Sequence, residues 1–183
     1  MRALSASGTM DGQRFYRVIE SFVAQGGLKD EAAIEDWATL ENENDRPYGG
    51  ERFVPLGNED LFAPEVGHID GFPVGRNADL EQEWLLHCPG AVGMARDTPP
   101  DSGATEFFIP IGQRRYLDRN YSVFGRVIAG MDHINRLKRV DPVGEEDMPG
   151  TNQAPLDFIL VVGGWDSSNT AHLVEIPHDA GKT

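Results

Sequence analysis

The pattern of apolar and polar positions near the start of the chain predicts a β-strand. Residues 14–20 (RFYRVIE) are rich in aromatic and β-branched side chains, and Phe15, Arg17 and Ile19 fall on one face of an extended segment. Residues 22–24 continue this strand, and the Gln-Gly-Gly sequence at 25–27 ends it. We therefore expect one strand that projects Arg17 from a single face.

A second patterned block begins at residue 84. Apolar residues at i, i+3 and i+6 predict a helix over 131–139, and shorter helical segments are indicated at 1–8 and 30–37. Five apolar segments are typical of short strands: 84–87, 91–95, 106–111, 121–128 and 158–162.

Turn-forming residues dominate the region between these blocks, residues 28–83. The segments 46–50 (RPYGG) and 70–75 (DGFPVG) are each interpreted as turns. We expect mainly surface loops with short strands here. Many short strands with one or two helices favour a mainly β fold, either a barrel or a sandwich.

Composition narrows the possible partners. The 183 residues include 16 Lys+Arg and 30 Asp+Glu, a formal net charge of −14, in a length that suits a single domain. This acidity argues against binding to nucleic acid or to anionic lipid, both of which require a basic surface. The longest strongly apolar run, 158–165, is far too short to span a bilayer. We expect a monomer without nucleic-acid or membrane partners.

Metal and cofactor chemistry find little support in the sequence. The single cysteine, Cys88, excludes an internal disulfide framework and a multi-cysteine zinc site. His68 and Asp70 share one face of an extended segment, but no third ligand type accompanies them. The nucleotide-binding and hydrolase motifs are absent from the sequence. We expect neither a metal nor a cofactor.

Three linked motifs resemble those of one family. Residues 15–27 (FYRVIESFVAQGG) resemble the cyclophilin pattern FHRVIxxFxxQGG. Residues 90–109 resemble the cyclophilin segment with MAR, a Pro/Asp/Ser loop and QFFI, and 116–132 resembles the LD…VFGxVxxGMD segment that follows. The chain is thereby similar to cyclophilin-type peptidyl-prolyl cis-trans isomerases, in a bacterial form.

The resemblance implies a fold. Cyclophilins are closed antiparallel β-barrels with a helix at each end, and their substrate lies in a groove on the outer face. Residues 1–10 resemble only the end of the helix that precedes the first motif, so two strands are expected to be missing and Met1 to be a misplaced start. A leader would be lost with them, so this chain indicates no cellular location. We expect one cyclophilin-like domain over 1–183, with a divergent loop-rich insertion at 28–83 and a C-terminal tail at 166–183.

The resemblance also implies a chemistry. Rotation about a peptide bond faces a barrier of about 20 kcal/mol, whereas the two isomers of an X-Pro bond lie within about 1 kcal/mol, so the problem is kinetic. A permanently charged guanidinium that donates hydrogen bonds toward the prolyl nitrogen would weaken the amide resonance. Arg17 matches the family's catalytic arginine, and Gln25 matches the glutamine that binds the substrate carbonyl. The alternative for Arg17 is an outward-facing strand arginine paired with a carboxylate. The alternative for Gln25 is a turn residue that caps the strand.

The remaining predicted substrate-binding residues divide into three groups. The proline pocket would consist of Phe22, Val23, Phe108 and Leu117, although the two phenylalanines fit an ordinary core equally well. Ala95 and Arg96 match positions that touch the substrate backbone. Glu106, Tyr116 and Tyr121 match site positions where the family usually has glutamine, tryptophan and histidine, and Glu106 could pair with Arg17.

Two functions follow from these residues. The first is a peptidyl-prolyl cis-trans isomerase that assists the folding of client proteins by acting on their proline-containing segments. The second is a non-catalytic cyclophilin-like module that holds such segments in the same groove. The missing strands, the departures at Glu106 and Tyr121, and Val23 in place of the family's usual methionine would suit this alternative. A binding module should hold a proline peptide without changing its exchange rate.

Overall fold

A computed structural model describes residues 1–28, 30–58, 60–139 and 160–161 of the chain. These residues form three short α-helices: α1 (Arg2–Ala6), α2 (Glu31–Glu35) and α3 (Met131–Arg136). They also form eleven strands: β1 (Phe15–Val18), β2 (Val23–Gly26), β3 (Arg46–Pro47), β4 (Val54–Pro55), β5 (Glu65–Ile69), β6 (Phe72–Asn77), β7 (Gln82–Leu85), β8 (Ala91–Met94), β9 (Phe107–Pro110), β10 (Val123–Val127) and β11 (Leu160–Val161).

The strands are arranged in two antiparallel sheets. One has six strands in the order β1-β2-β9-β8-β10-β11, and the other has five in the order β3-β7-β6-β5-β4. The predicted mainly β class is confirmed, with a fold of the cyclophilin type. Within the described residues the strands remain two sheets and do not close into one barrel. Only 160–161 of the predicted strand at 158–162 is described, and the predicted tail at 166–183 lies outside the described residues.

The first predicted strand is in fact a hairpin. The chain turns at residues 19–22, where the Ile19 amide donates to the Val23 carbonyl at 2.9 Å and Ser21 has a φ of +52°. Strand β2 then runs back along β1, with Arg17 opposite Gln25. The prediction of one strand ended by Gln25 was wrong because the apolar pattern continues through the turn. The hairpin instead places these two side chains together.

The region 28–83 carries more regular structure than its turn residues predict. Strands β5 and β6 form a hairpin whose turn is Asp70-Gly71, so the predicted turn at 70–75 continues into a strand of six residues. Gly75 lies inside that strand, where a larger residue would not fit: an added Cβ would lie 2.7 Å from Nε1 of Trp84. A glycine in a strand often marks such a close approach, and here it was misread as a turn signal.

Apolar clusters hold helices and sheets together. Val18, Val92, Phe107 and Ile109 of the six-stranded sheet pack with Ile134 of α3. A second cluster joins the two sheets, with Ile69, Val74 and Leu85 packed against Ala91 and Val123. Strand β8 contributes to both clusters. This packing fixes the position of β8 beside β9, where the cavity described below opens. No helix in the described ranges has the length and hydrophobicity that a bilayer crossing requires.

Candidate functional site

A cavity of about 130 Å³ opens on the six-stranded sheet. Strands β1 and β2, the turn between them, β9, the segment after β8 and the one-turn helix Arg115–Leu117 surround it. Nine of the eleven predicted site residues line it: Arg17, Phe22, Val23, Gln25, Ala95, Arg96, Phe108, Leu117 and Tyr121. Residues more than a hundred positions apart in sequence therefore meet at one place.

The floor and walls of the cavity are apolar. Val23, Ala95, Phe108 and Leu117 form one buried cluster, and the partly buried Tyr121 and Phe22 pack against it. The rings of Phe108 and Tyr121 meet edge to face, with centroids 5.6 Å apart. Burial of a small apolar ring against such walls is favourable because it removes apolar surface from water.

Gly93 is a requirement of this floor that the sequence pattern did not reveal. A Cβ at Gly93 would lie 2.5 Å from Cζ of Phe108, so the phenyl ring lies directly on the backbone of β8. Any larger residue would push Phe108 into the cavity. The only sequence signal is a glycine within an otherwise apolar strand.

A chain of hydrogen bonds forms the polar side of the cavity. Nη1 of Arg17 donates to Oε1 of Gln25 at 3.0 Å, and Nε2 of Gln25 donates to the Tyr16 hydroxyl at 3.0 Å. The Tyr16 hydroxyl in turn donates to Oε1 of Glu106. Burial and the hydrogen bond to Glu106 raise the pKa of Tyr16 well above its ordinary value, so the phenol keeps its proton. The order of donors fixes which way the Gln25 amide faces.

Glu106 and Tyr116 are the two predicted site residues outside the cavity lining. The suggested pairing of Glu106 with Arg17 was wrong, because Glu106 accepts from Tyr16 and the described ion pairs of the chain do not include Arg17. Tyr116 is 58% exposed and stacks on Phe22, with centroids 6.4 Å apart. It therefore supports the rim of the cavity.

A buried histidine lies beneath the cavity, at a place that the sequence pattern did not reveal. His87 is fully buried, and its ring stacks on Phe108 with centroids 5.7 Å apart. Its Nδ1 lies 3.0 Å from Oδ1 of Asp118, and its backbone N–H donates to the same oxygen at 2.8 Å. Arg115 donates to the other oxygen of Asp118. Asp118 thus anchors the segment between β7 and β8 to the helix that carries Leu117.

The cavity is lined by apolar side chains and by hydrogen-bonding groups. Among the residues that the structure describes, no three His, Cys, Asp or Glu side chains are grouped so as to hold a metal ion. Burial raises the pKa of the Cys88 thiol, so it remains protonated at neutral pH. The arrangement can bind an apolar ring and donate hydrogen bonds from Arg17 to groups beside it.

Comparisons with known proteins agree on one family. The family described as Cyclophilin type peptidyl-prolyl cis-trans isomerase/CLD matches residues 1–158. A probable peptidyl-prolyl cis-trans isomerase of Brucella abortus is 28% identical over 141 residues, which cover 76% of this chain and 58% of the relative. The human peptidyl-prolyl cis-trans isomerase-like 3 is 34% identical over 108 residues, covering 55% of this chain and 66% of the relative.

A solved structure supports the same fold. The cyclophilin AquaCyp293 from Hirschia baltica is 31% identical, with a TM-score of 0.67 over 77% of this chain and 58% of that protein. The chain therefore spans little more than half the length of both AquaCyp293 and the Brucella relative.

Proposed function

We propose that this chain, which belongs to the cyclophilin-type peptidyl-prolyl cis-trans isomerase family, catalyses rotation about X-Pro peptide bonds in proline-containing segments of client proteins. The observation that carries the proposal is the cavity itself, in which an apolar pocket and a donating guanidinium lie side by side. An isomerase needs no covalent step, so these two elements are a sufficient set of groups.

The apolar walls would bind the proline ring. Val23, Phe108 and Leu117 are buried in one cluster that faces the cavity, and Phe22 and Tyr121 flank it. With the proline ring held still, the residue before it can rotate about the X-Pro bond. Binding of the ring contributes equally to both isomers, so acceleration requires a further interaction with the twisted amide.

Arg17 would supply that interaction. Its guanidinium is half-buried at the cavity edge, 5.7 Å from the centre of the Phe22 ring, and one of its donors is engaged by Gln25. The other donors are free to approach the prolyl nitrogen, whose lone pair becomes available only when the amide twists. Such a bond is stronger in the transition state than in either planar form, which is the condition for catalysis.

Gln25, Ala95 and Arg96 would hold the peptide backbone on either side of the proline. Because Oε1 of Gln25 accepts from Arg17 and one Nε2 hydrogen goes to Tyr16, the second Nε2 hydrogen remains for a substrate carbonyl. Tyr16 and Glu106 would then act as positioning residues for Gln25, and Tyr116 as a support for Phe22.

The direct test is NMR exchange on an Ala-Pro peptide with the parent chain and with Arg17→Ala. We expect the parent to accelerate exchange and Arg17→Ala to reduce kcat/KM by about a hundredfold, as for the loss of one charged donor to a transition state. Arg136→Ala, which removes an exposed arginine of α3, is the matched control and should retain parent activity.

Circular dichroism spectra of all three proteins establish that they are folded. A folded parent that binds the peptide, shown by shifts of the Phe108 and Tyr121 resonances, without accelerating its exchange would overturn the isomerase proposal. That result would support the binding-module alternative.

A further inference from the structure

We infer that the cavity selects proline-containing segments with acidic residues beside the proline, an inference that rests on the proposed function and names its substrate class. The evidence is a set of three guanidiniums around the cavity: Arg17, Arg96 and Arg114. Their placement, their bonding partners and the surrounding charges point to the same chemistry.

The three arginines lie beside two aromatic rings that line the cavity. Arg17 and Arg114 approach the ring of Phe22, at 5.7 and 5.8 Å from its centroid. Arg96 lies over the ring of Tyr121 at 4.6 Å. A segment bound in the cavity would therefore meet positive charge beside both rings.

None of these three guanidiniums has a carboxylate oxygen within 4.0 Å among the residues described. Their hydrogen bonds go to neutral oxygens: Gln25 Oε1 for Arg17, the Gln113 carbonyl for Arg114, and carbonyls of residues 97, 98 and 120 with the Asn120 amide for Arg96. The part of the chain that the structure describes thus holds the guanidiniums in place without a carboxylate partner.

Most of the described arginines away from the cavity pair with a carboxylate. Six form ion pairs with aspartate or glutamate: Arg46, Arg76, Arg115, Arg119, Arg136 and Arg139. In a chain with 30 acidic and 16 basic residues, carboxylate partners are plentiful. Three unneutralised guanidiniums at one place therefore indicate that their charge is available to a ligand.

The cavity lining itself supplies no opposing charge, since its nine residues include two arginines and no carboxylate. Glu106, which was expected at the site, is outside the lining and accepts from Tyr16. The overall charge of −14 acts at longer range, and the screening length of about 8 Å at physiological salt limits its effect inside the site. A carboxylate on the substrate would form charge-assisted hydrogen bonds here.

The test uses three peptides that differ only beside the proline: Glu-Pro-Glu, Gln-Pro-Gln and Lys-Pro-Lys in a common alanine frame. At physiological salt, about 0.15 M, we expect kcat/KM for the Glu peptide to exceed that for the Lys peptide by about fivefold, the effect of one or two partly exposed ion pairs. Addition of about 0.5 M NaCl should remove most of the difference. Exchange is measured by NMR.

Arg114→Gln separates the inference from the proposed function, because Arg114 lies outside the cavity lining. We expect this variant to lose about half of the preference for Glu over Lys, as for the loss of one ion pair, with a larger loss of kcat/KM on the Glu peptide than on the Gln peptide. Arg136→Gln makes the same change of charge on α3 and should leave the preference intact.

Equal rates on the Glu and Lys peptides, or the same loss of preference in Arg114→Gln and Arg136→Gln, would overturn the inference. Failure of the parent to accelerate even the Gln peptide would instead overturn the proposed function on which it rests. A preference for Lys over Glu would show that the net charge of the chain outweighs the three guanidiniums, and would also refute the inference.

Discussion

Each of the two sheets places an arginine against aromatic rings. One arginine is paired with a buried carboxylate, whereas the other is bonded to a neutral amide. In the five-stranded sheet, Arg76 lies 4.1 Å from the ring centre of Phe53 and 4.6 Å from that of Tyr48, and it pairs with the fully buried Glu83 at 2.6 Å. In the six-stranded sheet, Arg17 lies near Phe22, and its hydrogen-bond partner among the described residues is the neutral amide of Gln25.

The difference distinguishes an arginine whose charge is paired within the fold from one whose charge is available to a ligand. Glu83 accepts from Arg76, from Arg46 and from the Gly49 backbone, so the donors around it are satisfied internally. This network holds the 46–53 segment against the sheet and leaves few hydrogen-bonding groups for a ligand. Arg17 keeps donors free at a cavity, an arrangement that contributes little to folding and is suited to binding.

The largest expected effect comes from breaking the internal network. Glu83→Ala should lower the free energy of unfolding by about 3 kcal/mol, because it leaves two partly buried guanidiniums without their shared partner. Urea unfolding followed by tryptophan fluorescence measures this loss, and exchange activity per folded molecule should be unchanged.

Glu51→Ala provides the control for Glu83→Ala. Glu51 makes a single 3.1 Å ion pair with Arg46, and both side chains are about a quarter exposed, so its loss should cost less than about 1 kcal/mol. Similar losses in the two variants would remove the distinction between a satisfied buried network and an ordinary ion pair.

A smaller effect is expected from the hydrogen-bond chain beside the cavity. Tyr16→Phe keeps the buried ring but removes the hydroxyl that joins Gln25 to Glu106, so the Gln25 amide loses its fixed orientation. We expect kcat/KM to fall by about tenfold, equivalent to about 1.4 kcal/mol, and the NMR signals of the Gln25 side-chain amide to shift.

Tyr48→Phe makes the same chemical change in the other region and should leave exchange activity at the parent level. A loss of activity in Tyr16→Phe that is fully explained by unfolding, with unchanged Gln25 signals in the folded fraction, would show that Tyr16 is structural only.

The smallest effect concerns alkaline pH. Because burial and the bond to Glu106 raise the pKa of Tyr16 in the folded state, the unfolded chain releases this proton first as pH rises above the ordinary value of 10.0. The contribution of Tyr16 is therefore fully present below pH 10 and is lost as pH rises further. Titration of this one group can increase the rate at which the free energy of unfolding falls with pH by at most about 1.4 kcal/mol per pH unit.

Urea unfolding at a series of pH values tests this sign. The free energy of unfolding of the parent should fall more steeply between about pH 10 and 11 than that of Tyr16→Phe. Parallel curves for the two proteins would show that the Tyr16 phenol has the same affinity for its proton in the folded and unfolded states.

Several elements were predictable because their signal is local. The strand around Arg17, the helix beginning at Met131 and the apolar strand before Pro110 follow from spacing and side-chain type alone. The hairpin at Ser21 was not predictable in this way, because the apolar pattern runs through it and only the positive φ marks the turn. The sheet within 28–83 was hidden by Gly75, which serves close packing rather than a turn.

The sequence alone determined the class of fold and the kinds of group available: a guanidinium on a strand, apolar rings and an amide in linked motifs. Tertiary structure alone decided which of them meet. Glu106 bonds Tyr16, 90 positions away, instead of Arg17, and His87 lies under Phe108. The physical reason is that partner choice depends on strand register and on packing between distant segments, and a one-residue shift of register would turn each side chain to the other face.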